Sequence, residues 1–213
     1  MKVALLFSGQ PRFITGPQYS VIKECLLDRY DCDVFCHYWW IRDQKNEYIT
    51  SSWSGLGKYE IDANQPIDQI LENLYQPKKT SYDAPLEQNT ANVVEYNIRS
   101  MYTSMYKCYQ LYEDYSSTHN IKYDWVIRLR YDISLVNFPN LDTLDNNFFY
   151  YANYHPNSRD VILANNAFIT PPKYAEPLFN LIAFFEKEKK AAWFDEYYCR
   201  ANLNRPCLCC DNT

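Results

Sequence analysis

Between Tyr123 and Leu135 the chain reads YDWVIRLRYDISL, the stretch with the most chemistry in it. An apolar run, Trp125-Val126-Ile127, leads into Arg128 and Arg130 and then into Asp132. Side chains alternate along a strand, so Arg128 and Arg130 are expected on one face. A guanidinium fork matches phosphate oxygens. Asp132 is a hard oxygen donor of the kind Mg²⁺ and Mn²⁺ take. Cations and a carboxylate at a strand end could hold a metal ion and a phosphate together. The plainer reading is a structural ion pair between an arginine and Asp132.

Other segments could contribute. Ser8-Gly9-Gln10-Pro11-Arg12 follows the first apolar run and could hold a nucleotide through backbone amides, with Arg12 on a phosphate or base edge. It has neither the Gly-Lys-Ser/Thr of a P-loop nor a dinucleotide GxGxxG, and it reads equally as a tight turn with a surface arginine. His37 could ligate a metal or hydrogen-bond a ligand; Cys36, Tyr38 and Trp39 around it suggest packing, with a backbone carbonyl holding the ring. Arg99, Ser100 and Lys107 share a helix from which a cation could reach a diphosphate. Asp160, Asp195 and Glu196 are later carboxylates placed to serve as a catalytic base or to hold an acceptor hydroxyl. Asp195 and Glu196 lie among aromatics in WFDEYY; a helix-start charge is the structural alternative. No G-x-S-x-G is present, so a serine-hydrolase elbow is excluded. His155 is a lone loop histidine.

These residues need strands and helices to position them. Lys2–Phe7 reads as a buried strand, Tyr19–Tyr30 as a helix and Asp33–Trp40 as a second strand, which makes a βαβ unit and hence a parallel pair. Residues 41–90 are polar and punctuated by Gly55, Gly57, Pro66, Pro77 and Pro85, with a short amphipathic helix at Pro66–Tyr75. The rest of that segment reads as loop or small strands, a candidate binding loop or lid. Asn92–Tyr115 is a strong helix, followed by the Trp125 strand, a short strand at Phe148–Tyr151 and a mixed segment at Val161–Thr170. An amphipathic helix at Tyr174–Lys190 and a last one at Ala192–Leu203 complete the pattern. The alternation predicts α/β, an open, mixed, mostly parallel sheet with helices on both faces. Ligands in such sheets bind beyond the carboxyl ends of the strands. That edge would gather Ser8–Arg12, His37–Trp40 and Arg128–Asp132.

Composition bounds the function. The chain has 213 residues, 47% of them hydrophobic and 17% aromatic, enough to bury a core and to argue against disorder. The net charge is -5, against general binding of nucleic acid. No apolar run is long enough to span a membrane. There are 8 cysteines. Met1-Lys2 leads straight into the first strand without a secretory signal, so reduced thiols and a cytoplasmic, non-secreted protein are expected. The CLCC near the C-terminus has no partner cluster for zinc.

SGQPR after the first strand, DVFCHYW at the second, the N-x-x-S-M-Y of Asn97–Tyr102 and YDWVIRLRYDI together resemble the GT-A-fold glycosyltransferases of large DNA viruses and bacterial surface-glycan clusters. The resemblance is to the chlorella-virus type that builds capsid glycans. It covers most of the chain, best in residues 1–40 and 92–135. It implies one glycosyltransferase domain over 1–213, with 1–135 holding a nucleotide sugar and metal and 136–213 facing the acceptor; the end at CLCCDNT hints at the first domain of a longer chain. It further implies a UDP-sugar donor, a glycan or glycoprotein acceptor, and Mn²⁺ or Mg²⁺. In that family a strand ends in Asp-x-Asp, whose carboxylates hold the metal. Here the triplet is Arg130-Tyr131-Asp132, so Asp132 carries over as metal ligand and Arg130 does not. Ser8, Gly9, Gln10, Arg12, Arg99, Arg128 and Arg130 are the expected donor contacts. A nucleotidyltransferase and a non-enzymatic glycan-binding module are the alternatives.

Overall fold

The structure is a computed structural model that describes residues 1–12, 14–41, 46–49, 58–61, 66–87, 93–133, 135, 138–151 and 167–188. In chain order the described elements begin with β1 (Lys2–Gly9), α1 (Gln18–Ile22, widening into a π turn at Lys23–Leu27) and β2 (Asp31–Trp39). Then come β3 (Asn46–Ile49), β4 (Lys58–Ile61), α2 (Ile67–Tyr75), β5 (Lys79–Asp83), α3 (Val93–His119) and β6 (Trp125–Leu129). The last are β7 (Tyr150–Tyr151), β8 (Ala167–Thr170), α4 (Ala175–Phe179) and α5 (Leu181–Glu188).

The main sheet has the order β5-β2-β1-β6-β8-β7. β5, β2, β1 and β6 run parallel, with Leu5 opposite both Val34 and Ile127. β8 pairs antiparallel with β6, and β7 antiparallel with β8. β3 and β4 form a separate antiparallel hairpin. The expected α/β class and mixed, mostly parallel sheet are therefore observed. β1 reads KVALLFSG without polar alternation because it is covered on both sides. Its odd residues Val3, Leu5 and Phe7 pack with Ile22 and Leu26 of the α1 segment and with Ile67, Leu71 and Tyr75 of α2. Its even residues Ala4 and Leu6 pack with Tyr102, Met105 and Cys108 of α3 and with Phe179 and Phe185 of α4 and α5. Helices thus lie on both faces.

The strand order creates the site. From β1 the chain steps outward to β2 and then β5. α3 carries it back, and it re-enters on the opposite side of β1 as β6. The direction of winding reverses between β1 and β6, and the carboxyl ends of those two strands are the place where an open α/β sheet leaves a crevice.

Several expectations are corrected. Lys79–Asp83, read as loop or minor strand, is a parallel edge strand of the main sheet, with His37 opposite Ser81. The single helix expected over Tyr174–Lys190 is two, α4 and α5, broken at Asn180. Pro177 sits in the first turn of α4, where its missing amide hydrogen costs no helical bond, and the break comes where Asn180 leaves helical geometry with φ -92 and ψ 31. The long helix runs to His119, a turn beyond expectation, and ends where Asn120 takes a left-handed φ of 51. The helix expected at Ala192–Leu203 lies outside the described residues. Among the described residues no helix is long and apolar enough to cross a membrane. The described cysteines, Cys25, Cys32, Cys36 and Cys108, are free thiols.

Candidate functional site

Two turns meet at the switch point. β1 ends at Gly9 with φ +119, a backbone conformation that disfavours any side chain. The Arg12 amide then donates to the Gln10 carbonyl at 2.8 Å, closing a tight turn around Pro11. That turn folds Arg12 back over the end of the sheet, where it is 7% exposed. Its Nη2 lies 2.7 Å from Asp132 Oδ2.

The second turn follows β6. Its pairing with β1 stops at Leu129, opposite Phe7. Arg130 therefore lies past the strand, and the alternation that would put it on the face of Arg128 no longer applies. Arg130 Nε donates to Asp132 Oδ1 at 2.8 Å and its Nη2 to Oδ2 at 2.7 Å, a bidentate fork. Arg128 stays inside β6, fully buried opposite Leu6 and Phe168, within electrostatic reach of the Cys108 thiol on the α3 side. The expected Arg128–Arg130 pair is thus replaced by an Arg12–Arg130 pair with Asp132 between them.

Tyr131 explains why Asp132 points where it does. Its ring stacks on Phe7 at 5.6 Å, and its hydroxyl donates to the Phe7 and His37 carbonyls, at 3.4 Å each. Burial holds that phenol protonated, its pKa well above the usual value, so it remains a donor. The ring plugs the ends of β1 and β2 from within and turns the flanking Arg130 and Asp132 outward. Ser8 is fully buried, and its hydroxyl has no hydrogen-bond partner among the described residues. Gln10 is half-buried at the turn.

No protein-family model matches this chain, and no curated protein does.

The cluster is better fitted to an anion than to a metal ion. Asp132 has both oxygens engaged by guanidinium groups and is 13% exposed. N–H donors take three of its roughly four lone-pair sites, and a divalent cation there would sit beside two positive charges. Among the described residues, no group of three or more His, Cys, Asp or Glu side chains could hold a metal ion. The donor set at this position does not fit Mn²⁺ or Mg²⁺. Arg12 and Arg130 fit phosphate or carboxylate oxygens.

A second polar chain crosses the same edge of the sheet two strands away. His37 Nδ1 is 2.7 Å from Ser104 Oγ, and Nε2 is 2.9 Å from Asp83 Oδ2. Lys107 Nζ donates to the same Asp83 oxygen at 2.6 Å. Burial lowers the His37 pKa more than Asp83 raises it, so the ring is neutral near pH 7. A neutral ring facing a carboxylate donates through Nε2–H, which leaves Nδ1 to accept from the Ser104 hydroxyl. Burial of Asp83 works against ionisation, but hydrogen bonds from Lys107 and His37 outweigh it and hold its pKa below the ordinary value. Ser104 and His37 are fully buried, so no substrate carbonyl reaches that hydroxyl. The chain joins β2, β5 and α3 and is structural. Ser104 and Asp83 carry no signal in the sequence: Ser104 is one polar residue of a long helix, and Asp83 ends a half-exposed edge strand.

Arg99 is not brought to the switch point by any observed contact. It pairs with Glu95 one turn back on α3 and with Glu186 of α5. Lys107 is taken by Asp83. Asp160, Asp195 and Glu196, the candidates for a catalytic base, lie outside the described residues, as do His155 and the CLCC cysteines.

Proposed function

We propose that the crevice between the ends of β1 and β6 binds the diphosphate of a nucleoside-diphosphate sugar, and that the chain is a glycosyltransferase of GT-A type. The observation that carries this reading is the convergence of Arg12 and Arg130 on Asp132 at the switch point of the sheet. The donor proposed is a UDP-sugar and the acceptor a glycan or glycoprotein hydroxyl. Departure of the nucleoside diphosphate builds negative charge on the β-phosphate oxygens. Arg12 and Arg130, already held in place, would meet that charge without reorganising, which is how fixed cations lower a barrier. The Ser8–Arg12 turn would bring backbone amides against the nucleotide, and Gly9 allows the chain to bend there. The acceptor hydroxyl attacks the anomeric carbon as the bond to the diphosphate breaks, and its proton goes to a base among the later carboxylates.

The test is to incubate the protein with UDP-sugars and glycan acceptors and to assay released nucleotide. Release of UDP with a lengthened glycan supports the reading. Release of pyrophosphate from a nucleoside triphosphate and a sugar phosphate would replace it with a nucleotidyltransferase. Binding of free glycan, with no nucleotide bound, would replace it with a binding module.

A further inference from the structure

We infer that Asp132 is a positioning residue rather than a metal ligand, and that the Arg12–Arg130 pair it holds binds diphosphate oxygens without a divalent cation. The inference rests on the reading of the crevice as a diphosphate site and says how that site meets the charge.

Three observations carry it. First, both Asp132 oxygens accept from guanidinium groups, one from Arg12 and two from Arg130, at 2.7–2.8 Å. Hard divalent ions need carboxylate oxygens at about 2.0–2.6 Å. An ion bound there would find about one lone pair left open, on Oδ1, and would be repelled by both arginines. Second, two guanidinium groups converge on a single carboxylate, so a cation at Asp132 meets local positive charge that an Asp-x-Asp pair would not present. Third, the arginines arrive from different turns but are fixed to one point. Arg12 is buried, 7% exposed, while the Arg130 side chain, just past the end of β6, is 28% exposed. A carboxylate that fixes two forks in one orientation removes most of the rotamer entropy that binding would otherwise cost. Asp132 thus takes the place of the metal as organiser, and the arginines take its place as charge.

Calorimetric titration of the whole chain with inorganic pyrophosphate and with UDP, each in EDTA and in Mn²⁺, tests this. Binding in EDTA is expected, within about threefold of the affinity in Mn²⁺. Arg130→Ala should weaken binding in EDTA at least about tenfold, as loss of a charge-assisted fork does. Asp132→Ala gives the sharper sign. Removing a negative charge beside an anion would by itself tighten binding, so a several-fold weakening, partly restored in Asp132→Glu, marks a positioning role. Thermal unfolding of each variant checks that it is folded, and Arg130→Ala carries the test should Asp132→Ala fail to fold. Binding that requires Mn²⁺, or unchanged affinity in Arg130→Ala, overturns the inference while leaving the glycosyltransferase reading intact. No binding of pyrophosphate or UDP under either condition overturns both.

Discussion

The two ends of the parallel sheet repeat one motif with different residues. At the amino-terminal end, Asp33 sits between two lysines, with Lys2 at 3.1 Å and Lys78 at 3.7 Å. It also accepts a hydrogen bond from the Tyr123 hydroxyl at 2.7 Å. At the carboxyl end, Asp132 sits between two arginines. Both carboxylates are largely buried, with side chains 5% and 13% exposed. The Asp33 group lies where strands begin side by side and closes on itself: a flexible ammonium on each side and a phenol on top fasten β1, β2 and the entry to β6. The Asp132 group lies where the winding reverses, and it holds planar guanidinium forks, the geometry that the proposed diphosphate site would use. A buried carboxylate between cations is therefore no evidence of function by itself; its place in the topology and the shape of its cations separate the two cases.

Substitutions should separate the ends cleanly. The largest effect is expected from Asp33→Ala, which leaves the Tyr123 hydroxyl without its acceptor and Lys2 with Asp31 alone, and should cost about 3 kcal/mol of stability in urea unfolding. Its diphosphate affinity should stay as in the native chain; a loss of affinity with native stability would break the distinction. Next comes Gly9→Ala. The site has room for the added carbon, since nothing lies within 4 Å, but φ +119 is strained for it. A cost of about 1–3 kcal/mol is expected, along with weaker diphosphate binding because Arg12 hangs from that turn. Arg130→Ala inverts the Asp33 result. Its ion pair is partly buried, but Asp132 keeps Arg12 as a partner, so stability should change by about 1 kcal/mol, while affinity falls about tenfold.

The smallest effect is a pH dependence from the neighbouring relay. The folded-state pKa of His37 is depressed, chiefly by burial, so the unfolded chain binds the proton more readily. The stabilisation is fully present above the unfolded value of about 6.5 and is lost as pH falls through the lower folded value. Urea midpoints should therefore drop from pH 7.5 to pH 5, and His37→Gln should flatten that slope. An equal slope in both proteins would show that the dependence arises elsewhere.

The sequence by itself determined the layers. Continuous apolar runs at Val3–Phe7 and Trp125–Ile127 can only be strands covered on both faces, and the 3.6-residue spacing of Met101, Met105, Cys108 and Tyr112 makes the long helix that covers one of them. The strand-end turn at Ser8–Arg12 was legible for the same reason, because polar residues must follow where a buried strand stops; the segment Arg128–Asp132 was read as starting too early, since Arg128 lies inside β6. Lys79–Asp83 was not legible, because an edge strand is half-exposed and KTSYD carries little apolar signal. Which arginine joins Asp132 was decided by tertiary structure alone. Alternation couples residues two apart within one strand, and so proposes Arg128 with Arg130. The ladder ends at Leu129, however, and Arg12 approaches from a turn more than a hundred residues earlier in the chain. That pairing exists only because α3 returns the chain to the far side of β1, a long-range choice that no local period encodes.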